Sequence, residues 1–309
     1  MTRTGPALAG PAFGGRVIMA TKRKGWIGLA WLSPALAFVG LFVLWPMVHL
    51  VWLSFTSASL LGGGEWIGLE NYTTALSDPK FWTAFKFTLT YTAIITPILM
   101  GLGFALALLV APNTPLRRVV RTVTFLPVVI GLASSSLLWY WLFDQQVGLF
   151  NKALVDLGLM DSGLVWFKKV DTAMAAVIIS VTWKVVGFGM ILIMAGFQSI
   201  SADLFEAARI DGASAWLRVR RIILPLAYRL ILMATVISVI GSMLAFDQFY
   251  LMTGGGPRGK TFTSVYWIYQ SGFVRFDLGY SAALSVILMV IIMAMTALQL
   301  RLQSRQGEA

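Results

Sequence analysis

The chain of 309 residues is 58% hydrophobic and only 12% charged, with a net charge of +11, one histidine and no cysteine. A soluble domain carries about 25% charged residues, so this chain lacks the charge to coat a water-facing surface, and its mean hydropathy of +0.80 makes lipid the main solvent. Without cysteine, disulfides, thiol catalysis and thiolate metal sites are excluded, and His49 alone makes no metal cluster.

In lipid every backbone polar group must be satisfied inside the protein, so long apolar segments are helices. A span needs about 20 mostly apolar residues, and six stretches qualify: 27–55, 87–111, 122–143, 173–197, 229–252 and 282–300. The expected fold is an all-α integral membrane bundle of six transmembrane helices. Residues 1–25 read as a basic, disordered tail, 26–303 as the transmembrane domain and 304–309 as a second tail. The first span is too long for a cleaved signal and reads as an anchor. Pro34, Pro46, Pro97 and Pro127 mark kinks or packing irregularities in the first three spans. Gly101, Gly103, Gly131, Gly187 and Gly189 permit close helix approach. Trp26, Trp52, Trp139 and Trp141 stand near span ends, as an aromatic belt requires.

The charge is distributed, not merely large. Arg3, Arg16, Lys22, Arg23 and Lys24 precede span 1, and Arg117, Arg118 and Arg121 follow span 2. Arg209, Arg218, Arg220 and Arg221 lie between spans 4 and 5, and Arg301 and Arg305 follow span 6. The intervening loops carry Glu65, Glu70, Asp78, Asp144, Asp156, Asp161 and Asp171. This alternation is the positive-inside pattern. It predicts that both termini and the 198–228 loop are cytoplasmic. The basic excess is therefore a topology signal, with no nucleic acid as partner.

The 199–225 segment is more structured than a connector. Asp203 is expected to cap a helix, with Glu206 as its capping-box partner. Leu204, Phe205, Ala208 and Ile210 give that helix an apolar side. Gly212 ends it, since glycine tolerates the left-handed conformation. Ser214 caps a second short helix bearing Trp216, Leu217 and the basic cluster, and Pro225 marks a bend into span 5. Two short helices projecting one acid and several arginines suit a groove on a partner protein.

The run Glu206-Ala207-Ala208-Arg209, then Asp211-Gly212-Ala213, then Leu224-Pro225 resembles the EAA motif of binding-protein-dependent ABC importer permeases. A second block agrees: Phe246-Asp247-Gln248-Phe249-Tyr250, then Thr253-Gly254-Gly255-Gly256-Pro257, Tyr266, Tyr269, Phe273 and Gly279-Tyr280-Ser281-Ala282. It is similar to the carbohydrate-uptake branch, whose members carry maltose and glycerol-3-phosphate. The resemblance implies a type I ABC importer permease fold in a bacterial inner membrane. It also implies four kinds of neighbour: a second homologous permease, two ATPase subunits, an extracytoplasmic solute-binding protein and the lipid bilayer. In that family the EAA loop docks into the ATPase, whose closure turns the pathway outward. ATP and Mg then belong to the ATPase, no cofactor belongs to this chain, and it is not an enzyme. The solute implied is a disaccharide, an oligosaccharide, glycerol-3-phosphate or a glycerophosphodiester.

Residues 254–261, Gly-Gly-Gly-Pro-Arg-Gly-Lys-Thr, satisfy the phosphate-loop pattern G-x-x-x-x-G-K-[ST]. The mechanism needs a strand before the loop and backbone N–H groups around the phosphates. Here a membrane helix precedes the loop, and Pro257 removes one N–H. The resemblance instead makes Gly254, Gly255, Gly256 and Pro257 an outer loop beside the binding protein and gate.

Lys184 falls near the middle of span 4 and Asp247 in the outer third of span 5. Charges inside a membrane are costly and face the bundle interior or water. Their opposite signs suggest a pair. Such a pair fixes helix register, or else it lines the solute pathway with Gln248. In the second role a carboxylate and an amide bind sugar hydroxyls and a lysine holds a phosphate. Tyr250 and Trp183 offer ring faces to a sugar, or serve as interface anchors. Two other classes compete: a self-sufficient secondary transporter or channel, and a membrane enzyme, which usually needs clustered acids, histidines or metal ligands.

Overall fold

A computed structural model of the chain describes residues 25–306, without the side chains of residues 25–30 and 303–306. The basic residues 3–24, the Trp26 and Arg305 side chains and the tail residues 307–309 lie outside what is described. Among the described residues the fold is helical, with two isolated bridges, Thr56 to Trp66 and Ser59 to Asp277, and no strand. Five helices are long and apolar enough to cross a membrane, and a bent pair supplies a sixth span.

The first span, Trp31–Leu53, falls almost entirely within a compact unit ending at Trp52. It contains Pro34 and a π-helical turn at Gly40–Leu44, and His49 stacks on Trp52 one turn away. This places the histidine in an aromatic contact.

The second unit begins at Leu53. Its span 2 is Pro79–Val110, started by Asp78, whose side chain accepts the Lys80 amide at 2.8 Å. Span 4 is Val170–Gln198 and span 6 begins at Leu278. Spans 2, 4 and 5 pack on one another, and their inner faces carry most of the core. One cluster joins Phe87, Tyr91, Ile95 and Leu99 to Phe249 and Met252, and another joins Ala107 and Val110 to Met190, Ile193 and Ala227. Leu102, Leu109, Ile237, Val290, Met293 and Leu298 stay exposed. So much outward apolar surface marks a protein whose surroundings are lipid or other subunits.

Four expectations are corrected. Span 3 is not one helix over 122–143: Pro115–Val129 and Leu132–Leu142 meet at 101°. Pro127 and Gly131 bracket the break, since a proline and a glycine leave the hydrogen-bond ladder easy to interrupt. Span 5 is not 229–252 either. It runs from Ala215 to Met243, passes Pro225 without a break and stops before a separate short helix, Asp247–Thr253. A π-helical turn at Val219–Ile223 stands immediately before Pro225, and such a local adjustment lets a membrane helix continue through a proline. Trp139 is not a belt residue. It is buried among Phe143, Phe150 and Trp183, while Trp52 and Trp141 are exposed. Finally, the glycines divide. A Cβ on Gly103 would meet the Gly189 carbonyl carbon and the Met190 nitrogen at 3.4 Å, and one on Gly187 would overlap the Thr124 carbonyl oxygen. Gly101 faces open space and Gly131 meets only its own turn.

Candidate functional site

The break after span 5 builds the site. Leu244 closes the helix by donating its amide to the Ile240 carbonyl at 3.0 Å, and the Ala245 amide reaches Ser242 at 3.2 Å. Thr263 holds the next carbonyl, Ala245, at 2.6 Å. The chain then turns at Phe246 and restarts as a helix at Asp247. Asp247 and Gln248 are thereby delivered to one edge of a cavity of about 230 Å³. Tyr91, Ile95 and Leu99 of span 2, Val181, Val185 and Phe188 of span 4, and Leu132 of span 3 form its apolar wall. Ser238 and Ser242 add hydroxyls from span 5. Gln248 is only 5% exposed, lies beside the Tyr91 hydroxyl, and its Oε1 accepts no hydrogen bond among the described residues. A buried acceptor without a partner is costly, so a turn of the Gln248 side chain that offers it to a donor in the cavity is favoured.

Lys184 does not pair with Asp247. Its ammonium donates to the carbonyls of Pro127, Val128 and Ile130, and it stands outside the cavity lining. The bent span 3 brings free carbonyls within reach, and a charge-assisted bond to them replaces the ion pair. Trp183 is half-buried, meets Trp139 edge-on at 5.6 Å and stands outside the cavity lining. Tyr250 is 40% exposed and packs with Tyr266 and Tyr269, each at 5.4 Å. It also stacks on Phe246, which does line the cavity.

At a separate place in the chain lies the 198–228 loop. Ser201, not Asp203, caps the helix Ala202–Ile210, its hydroxyl accepting the Asp203 amide at 3.3 Å. Asp203 falls in the first turn instead, and its carboxylate accepts the Ser201 hydroxyl. The Gly212 φ of +71° ends the helix, and the Ala213 amide returns to the Ala208 carbonyl at 2.9 Å. Ser214 caps the next helix as expected, accepting the Leu217 amide at 3.3 Å. That helix is the start of span 5 itself, not a separate piece. Ala208 is buried, whereas Glu206, Ala207, Arg209 and Asp211 are exposed. The apolar side expected of the Ala202–Ile210 helix is only partly inward: Phe205 is half-buried, but Ile210 is 87% exposed, and Trp216 on the following helix is 72% exposed. These two exposed side chains are what the sequence reading missed, because periodicity cannot tell a core-facing position from one left for a partner.

The glycine-rich loop closes on itself. Gly254, Gly255 and Gly259 have positive φ, and Phe262 covers Gly255. The Thr261 hydroxyl is buried and bonded to Thr253 Oγ1 at 2.8 Å and the Gly256 carbonyl at 2.7 Å. Helices flank the loop on both sides, Asp247–Thr253 and Ser264–Tyr269.

The sequence profile described as "Binding-protein-dependent transport system inner membrane component" matches residues 100–308. A sulfoquinovosyl glycerol transport system permease protein of Agrobacterium fabrum is 36% identical over 273 residues, covering 88% of each chain. An sn-glycerol-3-phosphate transport system permease protein of Yersinia pseudotuberculosis is 32% identical, over 91% of this chain and 95% of the relative. A trehalose/maltose transport system permease protein of Thermococcus litoralis is 30% identical, over 90% and 94%. Among solved structures, a chain of a bacterial alginate ABC transporter in complex with an alginate pentasaccharide-bound periplasmic protein superposes with a TM-score of 0.81. It covers 92% of this chain and 96% of that one at 22% identity, a likeness of fold. The chain therefore belongs to the family of binding-protein-dependent transport system inner membrane components, as a multi-pass transport subunit and not an enzyme.

Proposed function

We propose that the chain is a permease subunit of an ATP-driven importer for a sugar or sugar-like solute. It pairs with a second permease, two ATPase copies and an extracytoplasmic binding protein. Residues 206–212 dock on the ATPase, Asp247 and Gln248 line the pathway, and residues 254–257 border the binding protein. Both termini are cytoplasmic. The relatives named above carry solutes rich in hydroxyl groups, which supports the class.

The observation that carries the reading is the largely apolar cavity at the break of span 5, with most of its few polar groups drawn from span 5 and the helix after the break. Phe188, Phe246 and Tyr91 supply ring surface, while Asp247, Gln248 and Ser238 supply acceptors and donors along one edge. That division suits a sugar, whose ring faces are apolar and whose rim is hydroxyl. This chain's share of the lining holds one carboxylate and no cation, because Lys184 is engaged elsewhere. The lining thus favours a neutral sugar over a phosphate-bearing solute.

Reconstitution tests this. The complete transporter in proteoliposomes should take up a neutral disaccharide only with ATP and the binding protein present. Gln248→Leu should lower uptake about tenfold, as expected for one lost hydrogen bond to a buried acceptor, without loss of assembly. Uptake by this chain alone, with no ATPase, would establish a self-sufficient transporter instead.

A further inference from the structure

We propose that Lys184 and Gly187 form the seat that keeps span 3 bent, so that Lys184 is a positioning residue for the cavity wall. Span 3 breaks by 101° between Val129 and Leu132. A break strands the last carbonyls of the preceding helical segment, and water at membrane depth cannot satisfy them. Span 4 does so. Lys184 Nζ donates to Pro127 O at 3.4 Å, to Val128 O at 3.3 Å and to Ile130 O. The Pro127 carbonyl also accepts the Ile130 amide at 3.2 Å. The lysine is 6% exposed. Its cation sits at the negative end of the helical segment, where positive charge is favoured.

Gly187, one turn along span 4, makes the second contact. A Cβ there would overlap the Thr124 carbonyl oxygen and come within 2.9 Å of Phe125 Cα. Only the missing side chain lets the first arm of span 3 lie this close. Leu132 opens the second arm and lines the cavity beside Val181, Val185 and Phe188 of span 4. A straight span 3 would satisfy the same carbonyls internally and carry Leu132 out of that wall. Lys184 and Gly187 therefore select the bent arrangement, and the bend sets one side of the cavity. The inference rests on the cavity being the pathway, but its test reads the bend itself and does not depend on the solute.

The chain has no cysteine, so Leu132→Cys provides the sole thiol on this subunit. Its maleimide labelling rate is measured in the assembled transporter in proteoliposomes, with Lys184 intact or replaced. Lys184→Met should change the rate about fivefold or more and cut uptake about tenfold, on the scale of losing one or two hydrogen bonds. Gly187→Ala should shift labelling in the same direction. Lys184→Arg, which keeps a charged donor, should restore most of the parental rate. If Lys184→Met does not assemble, Lys184→Leu, which also lacks a donor but is branched and shorter, decides: changed labelling supports the seat, and parental labelling overturns it. Lost uptake with parental labelling also overturns it, and would place Lys184 in contact with the solute.

Discussion

The Tyr280 hydroxyl donates to Asp78 Oδ2 at 2.7 Å, joining the start of span 6 to the start of span 2 across 202 residues of chain. The same carboxylate accepts the Lys80 amide through Oδ1. Asp78 is therefore both a helix cap and an anchor for another helix. Tyr280→Phe removes only the anchor and should cost about 1 kcal/mol. Asp78→Ala removes the cap as well, typically about 1 kcal/mol more, and leaves the tyrosine hydroxyl unpaired. Thermal unfolding in detergent should rank Asp78→Ala below Tyr280→Phe and both below the parent. A double mutant no less stable than Asp78→Ala alone would show that the two act as one unit. Fully additive losses would refute the coupling.

Gly101 and Gly103 stand two residues apart on span 2 and face different surroundings. An added methyl at Gly101 meets nothing within 4 Å, whereas at Gly103 it meets the span 4 backbone at 3.4 Å. Gly101→Ala should stabilise by about 0.5–1 kcal/mol through helix propensity. Gly103→Leu, whose side chain must extend past a backbone that a methyl would already touch, should destabilise by about 1–3 kcal/mol through overpacking. Melting temperatures of Gly101→Ala and Gly103→Leu should move in opposite directions. Equal shifts of the same sign would mean that spans 2 and 4 are not packed at Gly103.

The loop between spans 3 and 4 depends on Asn151. Its Nδ2 donates to the Asp144 and Leu164 carbonyls at 3.0 Å, and its Oδ1 accepts the Leu164 amide at 3.0 Å and the Trp166 indole at 3.1 Å. One side chain thus holds both ends of residues 144–166. Asn151→Leu fills similar volume but offers no polar atom. It should speed proteolytic cleavage within residues 157–165 by at least about tenfold, since each lost bond is worth about 1 kcal/mol. An unchanged cleavage rate would place the stability of the loop in Phe143, which stacks on Phe150 and meets Trp166 at a tilt beside it.

Helix content and the number of spans were legible because apolar length and the absence of charge dictate both. Where a span stops was not. Residues 244–252 are apolar apart from Asp247 and Gln248, and nothing in their composition shows that Thr263 takes up the Ala245 carbonyl and lets the chain turn. The partner of Lys184 was hidden for the same reason. Opposite charge pointed to Asp247, but backbone carbonyls have no signature in side-chain chemistry, and they become acceptors only once span 3 bends. Gly212 and Ser214 were legible, since a left-handed end and a hydroxyl cap are local requirements. Asp203 was misread because Ser201, two residues earlier, offers the same chemistry.

The coupling role proposed for the 198–228 loop makes separable predictions for three of its residues. Gly212 has φ of +71° with open space around its Cα. Gly212→Ala therefore adds no clash and only the strain of a left-handed residue, about 1–2 kcal/mol. That strain should distort the turn between Asp211 and Ser214 without preventing insertion. Glu206 is exposed and makes no side-chain hydrogen bond among the described residues, so Glu206→Ala should leave the fold unchanged. Ile210, with 87% of its surface exposed at the end of the short helix, is placed to be the apolar anchor that a partner would cover, and truncating such an anchor commonly costs more than 1 kcal/mol of binding. Ile210→Ala should reduce recovery of the ATPase with the purified membrane subunits about tenfold. Glu206→Ala and Gly212→Ala should retain the ATPase yet lower uptake per ATP hydrolysed. A loop that merely connects spans 4 and 5 would show none of this. In that case all three variants would assemble and transport as the parent does, and the docking site would have to be sought elsewhere on the chain.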